Sequence, residues 1–229
     1  MTGGGSSLRK TRRTFIKRAG VSGALAADSL NLASASPKKR TPESRTTDSK
    51  RDMQSVVTGQ NKSGKSIIVS HAPVKPITVA MMPGYEFYRL WGNDSMAALP
   101  SDGTPTPQHH FFPPKNGFRF GMFTLPPATS TGAQPSPTPA QLEEMEQKLP
   151  GALEVLEADH PGMHTTDTVD FDIVVFGEVV LELDDGAEVV LKAGDSVIQN
   201  GTRYAWHNRS GEKCVIAFSL VGADRKRTT

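Results

Sequence analysis

An all-β sandwich or barrel with one short helix is the fold this chain predicts, on three observations. From Asp170 onward, short runs of β-branched and aromatic residues follow one another at near-regular spacing. Turn residues separate them: Asp184-Asp185-Gly186 and Asn200-Gly201 are placed as tight hairpin turns, where Gly accepts positive φ. A complete helix-start signal stands at Thr138-Pro139-Ala140-Gln141, with Thr138 as N-cap, Pro139 at the first helical position and Gln141 closing a capping box.

Taken in order, the chain opens on a basic arm. Its first 51 residues carry 12 Lys and Arg against 3 Asp and Glu, while the other 178 carry 14 against 21. Thr11-Arg12-Arg13-Thr14-Phe15-Ile16-Lys17 resembles a twin-arginine export signal, a weakly apolar stretch runs from Ala19 to Leu32, and Ala33-Ser34-Ala35 fits a signal-peptidase site. Residues 1–35 are therefore expected to be a signal peptide, and the mature chain to start near Ser36 as a periplasmic or secreted protein; a basic tail on a cytoplasmic protein is the alternative. Ser22, Asp28, Ser29 and Asn31 interrupt the stretch, and a span needs about 20 strongly apolar residues, so no stable membrane span is expected. Residues 36–51 are Ser, Thr, Pro, Lys and Arg with almost nothing to bury, which reads as a disordered linker.

Strands are expected at Ser66–Ser70, Ile77–Met82, Glu86–Trp91 and Gly117–Leu125. Between Pro100 and Pro114, and from Pro126 to Pro139, Pro, Ser, Thr and Gly predict surface loops. The helix runs to about Lys148, Pro150 stops it, and Ala152–Ala158 forms a second short turn. Dense strands follow at Phe171–Phe176, Glu178–Leu183, Glu188–Lys192, Ser196–Gln199, Tyr204–Asn208 and Lys213–Val221. Residues 224–229 form a basic tail.

Charge and cysteine content narrow the function. The basic cluster lies in the leader and the remainder is mildly acidic, without zinc-finger spacing, an RNA-binding aromatic motif or a basic helix. The expected partner is a small molecule, not nucleic acid. Cys214 is the single cysteine and sits in the apolar run Cys214-Val215-Ile216-Ala217-Phe218, so it is read as a buried small hydrophobe.

Two motif frames resemble those of cupins. In that family a first frame of Gly, His-x-His, an acidic residue and Gly, and a second with Gly, Pro-x-Gly, His and Asn, supply three His and one Glu to a metal inside a barrel. Counting back from Gly177 places Asp170 at the acidic position, Thr166 at the second His and His164 at the first. In the second frame Gly194 opens, Gly201 is the inner Gly, Tyr204 falls on the His and Asn208 on the closing Asn. More narrowly, Asp52–Val74, Phe87–Asn93 and His164-Thr165-Thr166-Asp167-Thr168-Val169-Asp170-Phe171 resemble small single-cupin proteins (cupin-2 type, RmlC-like barrel) of no settled activity. The resemblance covers Asp52–Ala223. It implies a cupin-like jelly-roll barrel, or double-stranded β-helix, with residues 161–223 as its core and residues 52–160 packing on it.

The resemblance also implies a cavity set: His164, Asp170 and Tyr204 as catalytic residues, with Thr166, Trp206 and Asn208 as substrate contacts. Thr166 and Tyr204 are poor ligands for divalent metals, so no metal is expected; were Fe, Mn, Ni or Zn bound, His164 and Asp170 would hold it. A His held by a carboxylate is a general base, and a Tyr opposite donates a proton. Three readings stay open: a metal-independent lyase or isomerase, a metal-dependent oxygenase or decarboxylase, and a non-catalytic binding module. His109, His110 and His160 are read as loop residues. Strand alternation turns His207 away from the face of Tyr204 and Trp206. Pairing of two copies through edge strands between Ser66 and Trp91 is the expected assembly.

Overall fold

The computed structural model describes residues 52–128 and 136–226. The expected signal peptide and linker lie outside the described residues. Ten strands follow in order: β1 (Gln54–Gln60), β2 (Ser66–Pro73), β3 (Glu86–Asn93), β4 (Phe118–Leu125), β5 (Thr168–Phe176), β6 (Glu178–Glu182), β7 (Glu188–Lys192), β8 (Ser196–Asn200), β9 (Ala205–His207) and β10 (Cys214–Gly222). The helix α1 (Pro139–Lys148) lies between β4 and β5. Among the described residues, no helix is long and apolar enough to cross a membrane.

The strands form a five-stranded antiparallel sheet, β3-β4-β10-β5-β8, a three-stranded sheet, β7-β6-β9, and the β1-β2 hairpin. The two larger sheets enclose a common core, giving the all-β, cupin-like jelly roll. Period-two burial explains the packing: β10 turns Cys214, Ile216, Phe218 and Leu220 inward, and β5 turns Thr168, Asp170, Asp172 and Val174 inward. Val174, Cys214 and Ile216 join Leu125, Val179, Leu181, Leu191 and Tyr204 in one cluster, each fully buried aliphatic contributing about 1.5–3 kcal/mol. Gly177 makes the β5–β6 corner at φ 76°, where a Cβ would lie 2.3 Å from the Lys213 carbonyl oxygen.

Helix α1 begins as expected: Thr138 accepts from the Gln141 N–H, and the Gln141 side chain reaches back to the Thr138 N–H. It buries Met145 and Leu149 against Val79 and Ala152, closing one end of the barrel. That contact accounts for one departure from expectation. Ile77–Met82 is not a strand; only Ile77 bridges to Phe87. Its backbone is taken up by the helix instead, since the Glu144 carboxylate accepts from the Ala80 N–H and Lys148 donates to the Thr78 carbonyl.

Two further departures have local causes. β1 carries few apolar residues and no strand was expected there; it exists because β2 pairs with it across a turn in which the Asn61 carboxamide accepts from the Ser63 and Lys65 N–H groups. Asn200-Gly201 turns the chain, with Gly201 at φ 63°, but makes no hairpin. It carries the chain from β8, paired with β5, to β9, paired with β6, and so from one sheet to the other. The Asp184-Asp185-Gly186 turn does join β6 to β7 as expected.

Candidate functional site

Between the barrel core and α1 lies an open-mouthed cavity of about 150 Å³. Its walls come from three sources: Phe123, Leu125, Phe218 and Leu220 of the five-stranded sheet, Met145 of α1 with Leu149 at its C-terminal cap, and Phe111 and Phe112 of the loop before β4. Gly121 makes room for one wall, since a Cβ there would lie 2.4 Å from the Phe218 ring. Tyr85, Phe87 and Trp206 complete an aromatic lining, and the polar side chains facing it are His164, Asp172 and Tyr204.

Backbone pairing brings His164 and Tyr204 together. Each N–H donates to the other's carbonyl at 3.0 Å, and the ring centroids lie 4.3 Å apart. The His164 Nδ1 lies 2.9 Å from the Gly162 carbonyl oxygen, which fixes that nitrogen as the donor and leaves Nε2 with a free lone pair. Burial lowers the His164 pKa below its ordinary 6.5, so the ring is held neutral. The Tyr204 hydroxyl donates to Asp170 Oδ2 at 3.3 Å, and burial followed by the nearby carboxyls raises its pKa well above 10.

Asp170 stands behind Tyr204 instead of opening on the cavity. It is fully buried, and burial raises its pKa against the opposing influence of Thr168 and Tyr204. Asp172, two residues along β5 and on the same face, is the carboxyl that lines the cavity. Only 5% of it is exposed, its Oδ2 has no hydrogen-bond partner, and burial together with Asp170 pushes its pKa up to about 8. Nothing in the cupin frames points to it. Alternation along Asp170-Phe171-Asp172 was the available signal.

Of the other expected site residues, Trp206 lines the cavity edge-on to Tyr204, with centroids 5.8 Å apart. Thr166 does not reach it; its hydroxyl is 2.7 Å from that of Thr168 in the core. Asn208 is also absent from the walls, because its amide donates to the Leu125, Pro126 and Glu212 carbonyls and its oxygen accepts from Ser210. His207 points outward to Glu182, as alternation required. His160 is exposed, and Cys214 is fully buried with its thiol pushed up to about 11 by desolvation.

The donor set fits a cupin metal poorly. Of the four frame positions, Thr166 is bonded to Thr168, Tyr204 donates to Asp170, Asp170 is turned from the cavity, and only His164 Nε2 faces it free. Among the described residues no three His, Cys, Asp or Glu side chains are grouped to hold an ion.

Loop histidines do other work. Arg119, 2% exposed, pairs with Asp94 and donates through two nitrogens to the His110 carbonyl, while Arg89 donates to the Gln108 carbonyl and side chain. His109 donates its N–H to Asp94 and places its ring nitrogen 2.8 Å from the same carboxylate. Burial raises the Asp94 pKa, but His109 and Arg119 together hold it at about 2. This clamp fixes the segment that presents Phe111 and Phe112 to the cavity.

No family model matches the chain. It is 37% identical to oryzines biosynthesis cluster protein J of Aspergillus oryzae over 78 residues, 32% of this chain and 44% of the relative. It is 46% identical to phomopsin biosynthesis cluster proteins C' and D of Diaporthe leptostromiformis over 48 residues, 21% of this chain and 25% of each relative. The chain thus spans less than half the length of these curated relatives. Among solved structures, a cupin domain from Schizosaccharomyces pombe aligns at TM-score 0.37 and 10% identity over 75% of this chain and 88% of that one. A cupin_2 domain of a transcriptional regulator from Enterobacter cloacae aligns at TM-score 0.29 and 15% identity over 47% and 83%.

Proposed function

We propose that this protein binds a small organic molecule in its barrel and moves a proton on it without a metal, as a lyase or isomerase does. One observation carries the reading: a neutral His164 with a free Nε2 and a carboxyl, Asp172, held protonated near neutral pH face the same apolar cavity. Two groups whose surroundings displace their pKa values in this way form an acid–base pair. His164 Nε2 takes a proton from the carbon next to a carbonyl, and Asp172 donates to the carbonyl oxygen as negative charge develops there. Tyr204 acts one step back, donating to Asp170 and packing on the His164 ring. The earlier expectation of Asp170 as the reacting carboxyl is thereby moved to Asp172. The relatives are biosynthesis cluster proteins, which accords with a small organic substrate.

The test is hydrogen–deuterium exchange at carbon, followed by NMR, across a panel of carbonyl compounds in heavy water. Exchange is expected with the wild-type protein and should vanish in His164→Ala while the unfolding transition is retained. Undiminished exchange in that variant sinks the mechanism, and binding without exchange across the panel points to a binding module.

Two further proposals concern the whole chain. The leader directs export by the twin-arginine route, so replacing Arg12 and Arg13 by Lys should retain the protein in the cytoplasmic fraction. Two copies pair through the β1-β2 hairpin.

A further inference from the structure

We infer that the cavity selects an uncharged, single-ring carbonyl compound, with its ring among the aromatic walls and its oxygen at Asp172, and that it turns anions and ammonium ions away. The inference rests on the reading of this cavity as the ligand site. Size comes first. About 150 Å³ of space is comparable to an engineered apolar protein cavity that holds benzene, so what lies inside the mouth is about one ring with a small substituent. Shape follows from the walls: Phe111, Phe112, Phe123, Phe218, Tyr85 and Trp206 present faces and edges suited to a planar ring.

Charge selection follows from what the polar groups can offer. Among the described residues no Lys or Arg lines the cavity, and the nearby Arg89 and Arg119 are committed to the Gln108 and His110 carbonyls and to Asp94. A carboxylate or phosphate would enter without a counter-ion, its charge met by the single hydrogen bond that protonated Asp172 can donate. An ammonium group would gain from the aromatic faces, yet it brings three donors. The cavity supplies it only Asp172 Oδ2 and His164 Nε2, and it forces Asp172 to ionise next to Asp170. A carbonyl oxygen needs one donor, and protonated Asp172 is that donor, which gives its unpartnered oxygen a bond.

Acetophenone, benzoate and benzylamine test this on the purified full chain, with Trp206 fluorescence and calorimetry as readouts at pH 7. Acetophenone is expected to bind at least about ten-fold more tightly than either charged analogue, the scale of leaving a buried polar group unmatched. Asp172→Asn keeps a donor and should retain most of that affinity; Asp172→Val should lose about ten-fold, with near-ultraviolet circular dichroism confirming the fold. Affinity should also fall as the pH passes about 8, where Asp172 ionises. Equal or tighter binding of benzoate or benzylamine, unchanged affinity in Asp172→Val, or binding of none of the three overturns the inference. Methyl-proton exchange on the same acetophenone samples reads the proposed chemistry separately: binding without exchange removes the catalysis and leaves the selectivity.

Discussion

Asp172 shows how one buried side chain ties function to stability. Its folded pKa of about 8 stands above the ordinary 3.8, so the folded chain keeps a proton that the unfolded chain releases. The associated stability is fully present below about pH 4 and is lost as the pH rises through about 8. Asp172→Asn removes that dependence. The variant should unfold at a similar temperature to wild type at pH 4 and be more stable by a few kcal/mol at pH 9, measured by thermal melts across the range. His164 has the opposite sense: it is neutral when folded, so the unfolded chain takes up its proton first as the pH falls through 6.5. Exchange activity should therefore trace a bell, with an acid limb below 6.5 from His164 and an alkaline limb near 8 from Asp172. A rate still rising above pH 9 would remove Asp172 from the role of acid.

At the level of elements, the barrel supplies one wall of the cavity and two accessory segments supply the rest. Helix α1 is held by its own capping box and by the Val79, Met145, Leu149 and Ala152 cluster. The segment carrying Phe111 and Phe112 seats Phe111 on that same cluster and against Phe87 and Phe218. It is fastened by the buried Arg119, whose guanidinium joins Asp94 to the His110 carbonyl. Replacing Arg119 by Leu leaves the His110 carbonyl short of its main donor, at a cost of about 1–3 kcal/mol, while Asp94, 24% exposed, keeps His109 and water. The variant should melt at lower temperature and be cut by protease near His109 and His110 before the barrel unfolds. Acetophenone affinity should fall with it, because two aromatic walls lose their placement. A variant with wild-type proteolysis and affinity would show that Arg119 serves the sheet alone.

At the scale of the molecule, the barrel was legible and half of the site was not. Gly177 and Gly201 could be read because a corner at positive φ tolerates little else, and the capping box over Thr138–Gln141 could be read because its chemistry is local. Tyr204 and His164, read from the frames, and Trp206, read from strand alternation, all line the cavity, since strand register fixes which side faces inward. Asp170 and Thr166 were misplaced for the opposite reason: a frame gives the face of the sheet but not the depth, and only the packing of Tyr204 over Asp170 moves the open position to Asp172. The Ile77–Met82 segment and Asn208 were misread because their partners lie on α1 and, for Asn208, at the end of β4 and in the turn after β9, beyond any local pattern.

The β1-β2 hairpin poses the remaining question at this scale. Every residue of β2 is exposed, Ile68 by 69%, Val56 on β1 is 53% accessible, and the hairpin has no third strand among the described residues. A two-stranded sheet is at best marginally stable in water, and unpaired edges bearing Val and Ile invite a partner. The outer face of the five-stranded sheet shows the same character, since Phe171 on β5 stands directly opposite Ile198 on β8 and both are about half exposed. These two surfaces are apolar and exposed among the described residues, and the proposed pairing of two copies through the hairpin would bury the first of them. Sedimentation should give a dimer mass for wild type and a monomer mass for Ile68→Asp, which places a charge on the hairpin without touching the cavity. A wild-type protein that stays monomeric at high concentration would assign the hairpin some other partner, whereas a dimer that survives Ile68→Asp would move the interface to the face around Phe171 and Ile198.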